Sequence, residues 1–161
     1  QWRAARPDLD VAPMGLVGRL SRVTNLFAAE MARTFETHGL NAAAFDVLAT
    51  LRRSGAPVTL SAGELMKSMM ISSGSMTNRI QRLESAEMVE RNTDPHDARK
   101  ASVRLTKKGK AAIARAVSDH VQTQAGLVDV LSERERATLE RLLRKLEAHQ
   151  LDRLKDTRVD A

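Results

Sequence analysis

The residues from Ser72 to Thr106 gather hydrogen-bond donors in a pattern that suits a polyanion better than a reacting substrate. The segment SSGSMTNRIQRLESAEM runs through a polar turn into DPHDARK, then ASVRLT and KKGK. At about 100° per residue, Met76, Ile80 and Leu83 fall in one narrow arc and should pack inward. Gly74, Asn78, Gln81 and Ser85 occupy the opposite arc, flanked by Ser75, Thr77 and Arg82, with Ser72 or Ser73 as the cap. Such side chains donate to phosphate oxygens or read base edges, and a glycine lets backbone approach closely. An ordinary solvated face has the same composition; the basic hairpin beside it is what favours nucleic acid. In that hairpin Asp94-Pro95 starts a turn, and His96, Arg99 and Lys100 bring positive charge to the tip. An arginine there can enter a narrow A·T-rich minor groove, where the potential is most negative. Asp97 can orient the Arg99 guanidinium through a bidentate pair; a weak surface ion pair is the plainer alternative. Arg79 lies on the flank of the apolar arc, so it needs an acidic or hydrogen-bonding partner.

These residues have to be positioned by the elements around them. Apolar residues at helical spacing from Met14 to about His38 predict a first long helix, ended by Gly39. Asn41 can cap a second, with core stripe Phe45, Leu48 and Leu51, which stops at Ser54-Gly55-Ala56-Pro57. Ser61 with Glu64 three residues later is a capping box, so a short helix begins there and the next helix follows by a tight turn. Met88 to Thr93 and Ala101 to Thr106 read as strands, the second alternating Val103 and Leu105 with Ser102, Arg104 and Thr106. Thr106 caps a long helix through Ala111, Ile113, Val117 and Val121. Ser132 and Glu135 form a second capping box, opening a final helix with a narrow leucine stripe: Leu139, Leu142, Leu143, Leu146 and onward. That stripe is read as part of a dimer interface made with the first helix, with packing inside a monomer as the alternative. The fold expected is mainly α with a small β-hairpin, a winged helix-turn-helix between dimerisation helices. Residues 1–38 form an N-terminal extension and dimerisation helix, 39–110 the DNA-binding domain, and 111–161 the C-terminal dimerisation helices.

Composition narrows the function classes. Over 161 residues, Lys+Arg number 26 against 20 Asp+Glu, a formal charge of +6, which suits an acidic partner. There is no cysteine, so disulfides and thiolate chemistry are excluded, and a reducing cytoplasm fits. No apolar run approaches the roughly 20 residues of a membrane span, and QWRAARPDLD is too charged for a signal peptide. For an enzyme the chain offers little: no Gly-rich phosphate loop, no HExxH, and four histidines without metal-ligand spacing. No metal and no catalytic residue are expected. A winged-helix module that binds protein instead of DNA is the other rival; the basic wing argues against it.

The stretch resembles the MarR family of bacterial transcription regulators. The resemblance rests on the helix from Ser72 to Glu84 and on DPHDARKASVRLTKKG, including Asp97-x-Arg99 and Leu105-Thr106. Flanking helices fall where that family has its dimerisation helices, so it covers nearly the whole chain. Within the family, PMGLVGRLSRV, FDVLATLRRSG and SGSMTNRIQRLE are similar to the urate-responsive, PecS-like branch. The branch implies a ligand site from a tryptophan, an aspartate and two arginines, here Trp2, Asp46, Arg79 and Arg91. It implies a homodimer that represses a divergently oriented gene and releases DNA when a small anion binds. On the residues alone, Arg79 and Arg91 can hold urate or another planar anion while Trp2 supplies an aromatic face. Equally, Trp2 can cover the core, Asp46 can be solvated or pair with an arginine, and Arg91 can be an outward strand residue. The reading is a cytoplasmic, nucleoid-associated regulator. Two recognition helices would enter successive major grooves of a double-stranded, pseudo-palindromic operator. Phosphate contacts come from Arg82, Arg99 and Lys100; Lys107, Lys108 and Lys110 either join them or are a solvated helix start. A phenolic or another carboxylate is the alternative effector.

Overall fold

The computed structural model describes residues 2–55, 59–69, 73–94 and 97–159; of residues 3, 73, 93–94, 97–101 and 156–159 it describes the backbone alone. Seven helices and three strands are present among them: α1 (Trp2–Ala5), α2 (Ala12–Thr37), α3 (Ala42–Arg53), β1 (Leu60–Ser61), α4 (Ala62–Met69), α5 (Ser73–Ser85), β2 (Val89–Asp94), β3 (Asp97–Leu105), α6 (Lys107–Leu127) and α7 (Glu133–Val159). They form two compact units, Gln1–Thr123 and Gln124–Ala161. No helix of the described residues is long and apolar enough to cross a membrane.

Local chemistry explains the boundaries. α2 carries a proline in its first turn, where a missing N–H costs nothing. It ends in a left-handed Gly39 (φ 66°), with Leu40 N–H donating to the Phe35 carbonyl and Gly39 N–H to that of Glu36. The Asn41 side chain accepts from Ala44 N–H at 2.8 Å and starts α3. Ser61 and Glu64 satisfy each other reciprocally, as do Ser132 and Glu135. Thr106 Oγ1 accepts from Gly109 N–H at 3.0 Å and caps α6.

The core of the first unit is built by α3, α4, α5, the sheet and one face of α6. Leu48, Leu65, Met76, Ile113 and Val47 are its largest fully buried side chains. The strands pair antiparallel in the order β1-β3-β2, with Val89 opposite Leu105, Arg91 opposite Val103 and Leu60 opposite Val103 on the other edge. Two sequence expectations change here. α6 buries Gly109, Ala112, Ile113 and Ala116, whereas Ala111 and Val121 are exposed. β3 begins at Asp97, so most of the segment read as a loop belongs to the strand.

Candidate nucleic-acid interface

α5 divides as its periodicity requires. Met76, Ile80 and Leu83 are buried in the core. Gly74, Ser75, Thr77, Asn78, Gln81, Arg82 and Ser85 are all exposed; the Ser73 side chain lies outside the described residues, as does Ser72. A Cβ on Gly74 would meet nothing within 4 Å, so the fold itself does not require glycine there. α4 and α5 pack against each other, and α5 rests on α3, which is the helix-turn-helix arrangement with one polar helix face turned to solvent.

The hairpin is fixed to this helix at its base. Arg91 Nε of β2 meets Glu84 Oε2 of α5 at 2.8 Å, each side chain about two-thirds buried. Across the strands Arg104 pairs with Glu90 at 2.8 Å, and the register slips between Asn92 and Asp94. The backbones of Asp97, Arg99 and Lys100 lie in β3, but their side chains, like Pro95 and His96 entirely, are outside the described residues. Lys107, Lys108 and Lys110 are exposed on the first turn of α6, where Lys108 reaches Glu87 at 3.2 Å. The hairpin, α5 and this lysine-rich turn are thus joined into one cationic assembly.

Arg79 is half-buried on the inward flank of α5, and its charge acts on Asp46 of α3. Burial pushes the Asp46 carboxyl above its ordinary value; Arg79, then His120 and Arg53, oppose that shift. Arg91 is already engaged by Glu84. Trp2 is exposed and lines a cavity of about 570 Å³ with the first turns of α2, from Val11 to Arg19. The other end of α2, at Phe35, packs by Phe45 and His120, about 30 Å farther along the helix at 1.5 Å per residue. One chain therefore places Arg79 where its charge acts on Asp46, holds Arg91 against a different partner, and leaves Trp2 at the far end of α2.

A second cluster was not foreseen in the sequence. The His120 ring lies 5.1 Å from the Phe35 ring and 4.7 Å from Phe45, and its Nδ1 is buried without a hydrogen-bond partner among the described residues. Burial pushes its pKa down, against the opposing charge of Asp46. Beside it, His38 Nε2 meets Asp119 Oδ2 at 2.8 Å. Adjacent residues on a helix point apart, and here the two sides serve different partners. The only hint in the sequence was that His120 follows Ile113 and Ala116 on the face of α6 that packs inward. Among the described residues no group of three or more His, Asp or Glu is placed to hold a metal.

The geometry is that of a binding surface, a polar helix face beside a basic hairpin, and comparison with known proteins agrees. The MarR family model matches residues 38–100. The chain is 40% identical over 149 residues to the HTH-type transcriptional regulator PecS of Dickeya dadantii, covering 92% of this chain and 90% of that one. A mutant MarR from E. coli, solved in complex with operator DNA, superposes with a TM-score of 0.73 at 28% identity over 84% of this chain and 94% of the other. BpsR of Bordetella bronchiseptica, whose DNA binding is regulated by 6-hydroxynicotinic acid, gives 0.73 at 28% identity over 83% and 98%.

Proposed function

This chain belongs to the MarR family of DNA-binding transcription regulators, and from that premise we propose that it is a homodimeric, cytoplasmic repressor, released from a pseudo-palindromic operator by a small anionic effector. The observation that carries the proposal is the exposed arc from Gly74 to Ser85, built of donors and backed by a buried apolar arc on the same helix. Ser73, Ser75, Thr77, Asn78 and Gln81 face the groove. Arg82 at the helix, with Arg99 and Lys100 on the wing, meets phosphates and the minor groove, and Asp97 steers Arg99. Two such helices about one duplex turn apart fit a palindrome.

For the effector, Arg79 with Asp46 supports an anion site on the recognition helix itself, to which Arg91 and Trp2 are assigned by likeness to the urate-responsive branch. Urate fits as a planar monoanion. A second effector class has its own support: the ligand of BpsR is an aromatic carboxylic acid, which asks for the same guanidinium chemistry. By linkage, an anion that weakens DNA binding is itself weakened by DNA to the same degree.

The test is fluorescence anisotropy on duplexes from the region upstream of the protein's own gene, across a salt series. The logarithm of affinity should fall linearly with that of salt, and Arg82→Ala should reduce the slope by roughly one per lost phosphate contact, about two per dimer. Arg99→Ala should weaken binding most on A·T-rich flanks; unchanged affinity and slope eliminate its assigned role. Failure to retain any genomic duplex in dilute buffer overturns the regulator reading and favours a protein-binding winged helix.

A further inference from the structure

Glu84 has no part in the polar arc of α5, and Arg91 none in the hairpin tip, yet their side chains meet at 2.8 Å. Strand alternation puts Arg91 on the same face of β2 as Val89, two residues before it. Val89 is buried, as are Leu105 opposite it and Val103 opposite Arg91. Arg91 is therefore the cation at the outer end of an otherwise apolar row. On α5, Glu84 follows the buried Ile80 by four residues and the buried Leu83 by one, which puts it at the edge of the inward arc. Each partner is about two-thirds buried, so solvent and salt screen this pair less than its neighbours. Arg104–Glu90 lies wholly within the hairpin, and Lys108–Glu87 ties α6 to the turn; in both, each side chain is about half exposed or more. Of these three pairs, only Glu84–Arg91 joins α5 to the hairpin.

The length of the hairpin magnifies any slack at that point. Three residues, 86–88, separate α5 from β2. From Val89 to Asp94 the strand runs about 17 Å, at about 3.3 Å per residue. A tilt of about 10° at its base would carry Asp94 about 3 Å, the length of a hydrogen bond. A phosphate or groove contact made from the hairpin does not survive that displacement.

We propose that Glu84 and Arg91 are a positioning pair for DNA binding: their ion pair holds the hairpin at a fixed angle to α5, so that helix and wing meet the duplex together. Neither side chain contacts DNA itself. This role rests on α5 and the hairpin meeting DNA as proposed above; the tie between them does not, and no effector enters it. Charge alone predicts the opposite result. Removing Glu84 takes a negative charge from a surface that faces a polyanion and frees a guanidinium, which should tighten binding. Loss of a fixed hairpin weakens it.

The full chain is compared with Glu84→Ala, with Arg91→Met and with the charge swap Glu84→Arg plus Arg91→Glu. Affinity is read by fluorescence anisotropy on a duplex from upstream of the protein's own gene, and hairpin opening by amide hydrogen exchange in the free protein. Thermal melts confirm that each variant is folded; Glu84→Gln, which keeps the size of the side chain, stands in for Glu84→Ala if the latter is not. The two single variants change the net charge in opposite directions, and the swap leaves it unaltered. Both singles should nevertheless weaken DNA binding by about threefold or more, and the swap should return to within about twofold of the parent. Amides of β2 should exchange about threefold or more faster in both singles and at the parent rate in the swap, with those of α3 unaltered throughout. A Glu84→Ala chain that binds DNA as tightly as the parent or tighter, or a swap no better than the singles, overturns the positioning role. Unaltered β2 exchange in both singles overturns the tie itself. If β2 exchange moves as expected and the parent retains no duplex, the tie stands and the regulator reading falls.

Discussion

His120 and Asp46 share one electrostatic problem, and their pKa shifts say which effect wins. The imidazole lies against Phe35 and Phe45, and burial pushes it below its ordinary value. The fold thus favours the neutral ring. The stability this contributes is complete above the usual imidazole value, about 6.5, and is lost as pH falls through the depressed folded value. His120→Phe, which removes the titrating group but keeps a ring against Phe35 and Phe45, should flatten the decline of melting temperature below about pH 6.5. An equally steep decline in that variant places the acid sensitivity elsewhere. Asp46 goes the other way: burial raises it even though Arg79, His120 and Arg53 all oppose. A raised carboxyl contributes stability below the ordinary carboxylate range, about 4, and loses it as pH rises through the folded value. Asp46→Asn is therefore expected to melt higher than wild type at pH 7, the gap closing as pH falls toward about 4. A lower melting temperature at pH 7 would mean that attraction to Arg79, not desolvation, dominates.

At the scale of elements, the junction of α5, β2 and α6 sets the angle between α5 and the hairpin. α5 ends with Glu87 in left-handed backbone (φ 58°), where Met88 N–H reaches the Leu83 carbonyl at 2.9 Å. That position favours glycine. The Thr106 hydroxyl donates to the Glu87 carbonyl at 2.7 Å and holds it there. Thr106 N–H donates to the Met88 carbonyl, and a Cβ on Gly109 would come 1.9 Å from that same oxygen. Gly109→Ala must push α6 off the turn and should cost about 1–3 kcal/mol, while Glu87→Gly should stabilise by about 1 kcal/mol by relieving the left-handed strain. Urea denaturation measures both; a neutral Gly109→Ala would show the junction to be compliant. What could be read in advance follows the same logic of range. Gly39, Asn41 and the two Ser-x-x-Glu boxes were legible because their bonds close within a few residues. So were the two faces of α5 and the inward flank position of Arg79, since a helical wheel needs no partner. β1 was not: its two residues become a strand only by pairing with Ser102 and Val103. Glu87 carries no glycine to announce its conformation. Apart from Ile113, the buried residues of α6 are glycine and alanine, which hydrophobic periodicity underweights. The His38–Asp119 pair joins residues 81 apart, and no local pattern encodes that.

At the scale of the whole molecule, α7 leaves a stripe of leucines exposed. Its 27 residues place Leu139, Leu142, Leu143 and Leu146 at helical spacing, and all four are exposed, as are Leu151 and Leu154 farther along. In the first unit α2 is likewise exposed at Leu16, Val17, Leu20 and Leu26. An exposed apolar stripe along a helix is uncommon on a monomer and suits the association surface of the proposed dimer. On α7, Arg, Lys and Glu occupy the remaining faces, which makes the leucine stripe a seam rather than a general loss of polarity. In the dimer proposed above, a second copy of the chain covers this seam and brings a second α5, so that two linked helices would meet the two halves of the proposed palindrome. Linking two sites raises overall affinity by about 10²–10⁴ through effective concentration alone. Leu142→Glu combined with Leu146→Glu should therefore give a monomer by sedimentation with helical content nearly intact. Operator affinity should fall by about two to four decades, and the salt slope should drop to about half. The two readouts must move together. A dimer that survives both substitutions locates the seam away from these leucines, and a monomer that binds operator as tightly as the parent removes the need for two reading helices.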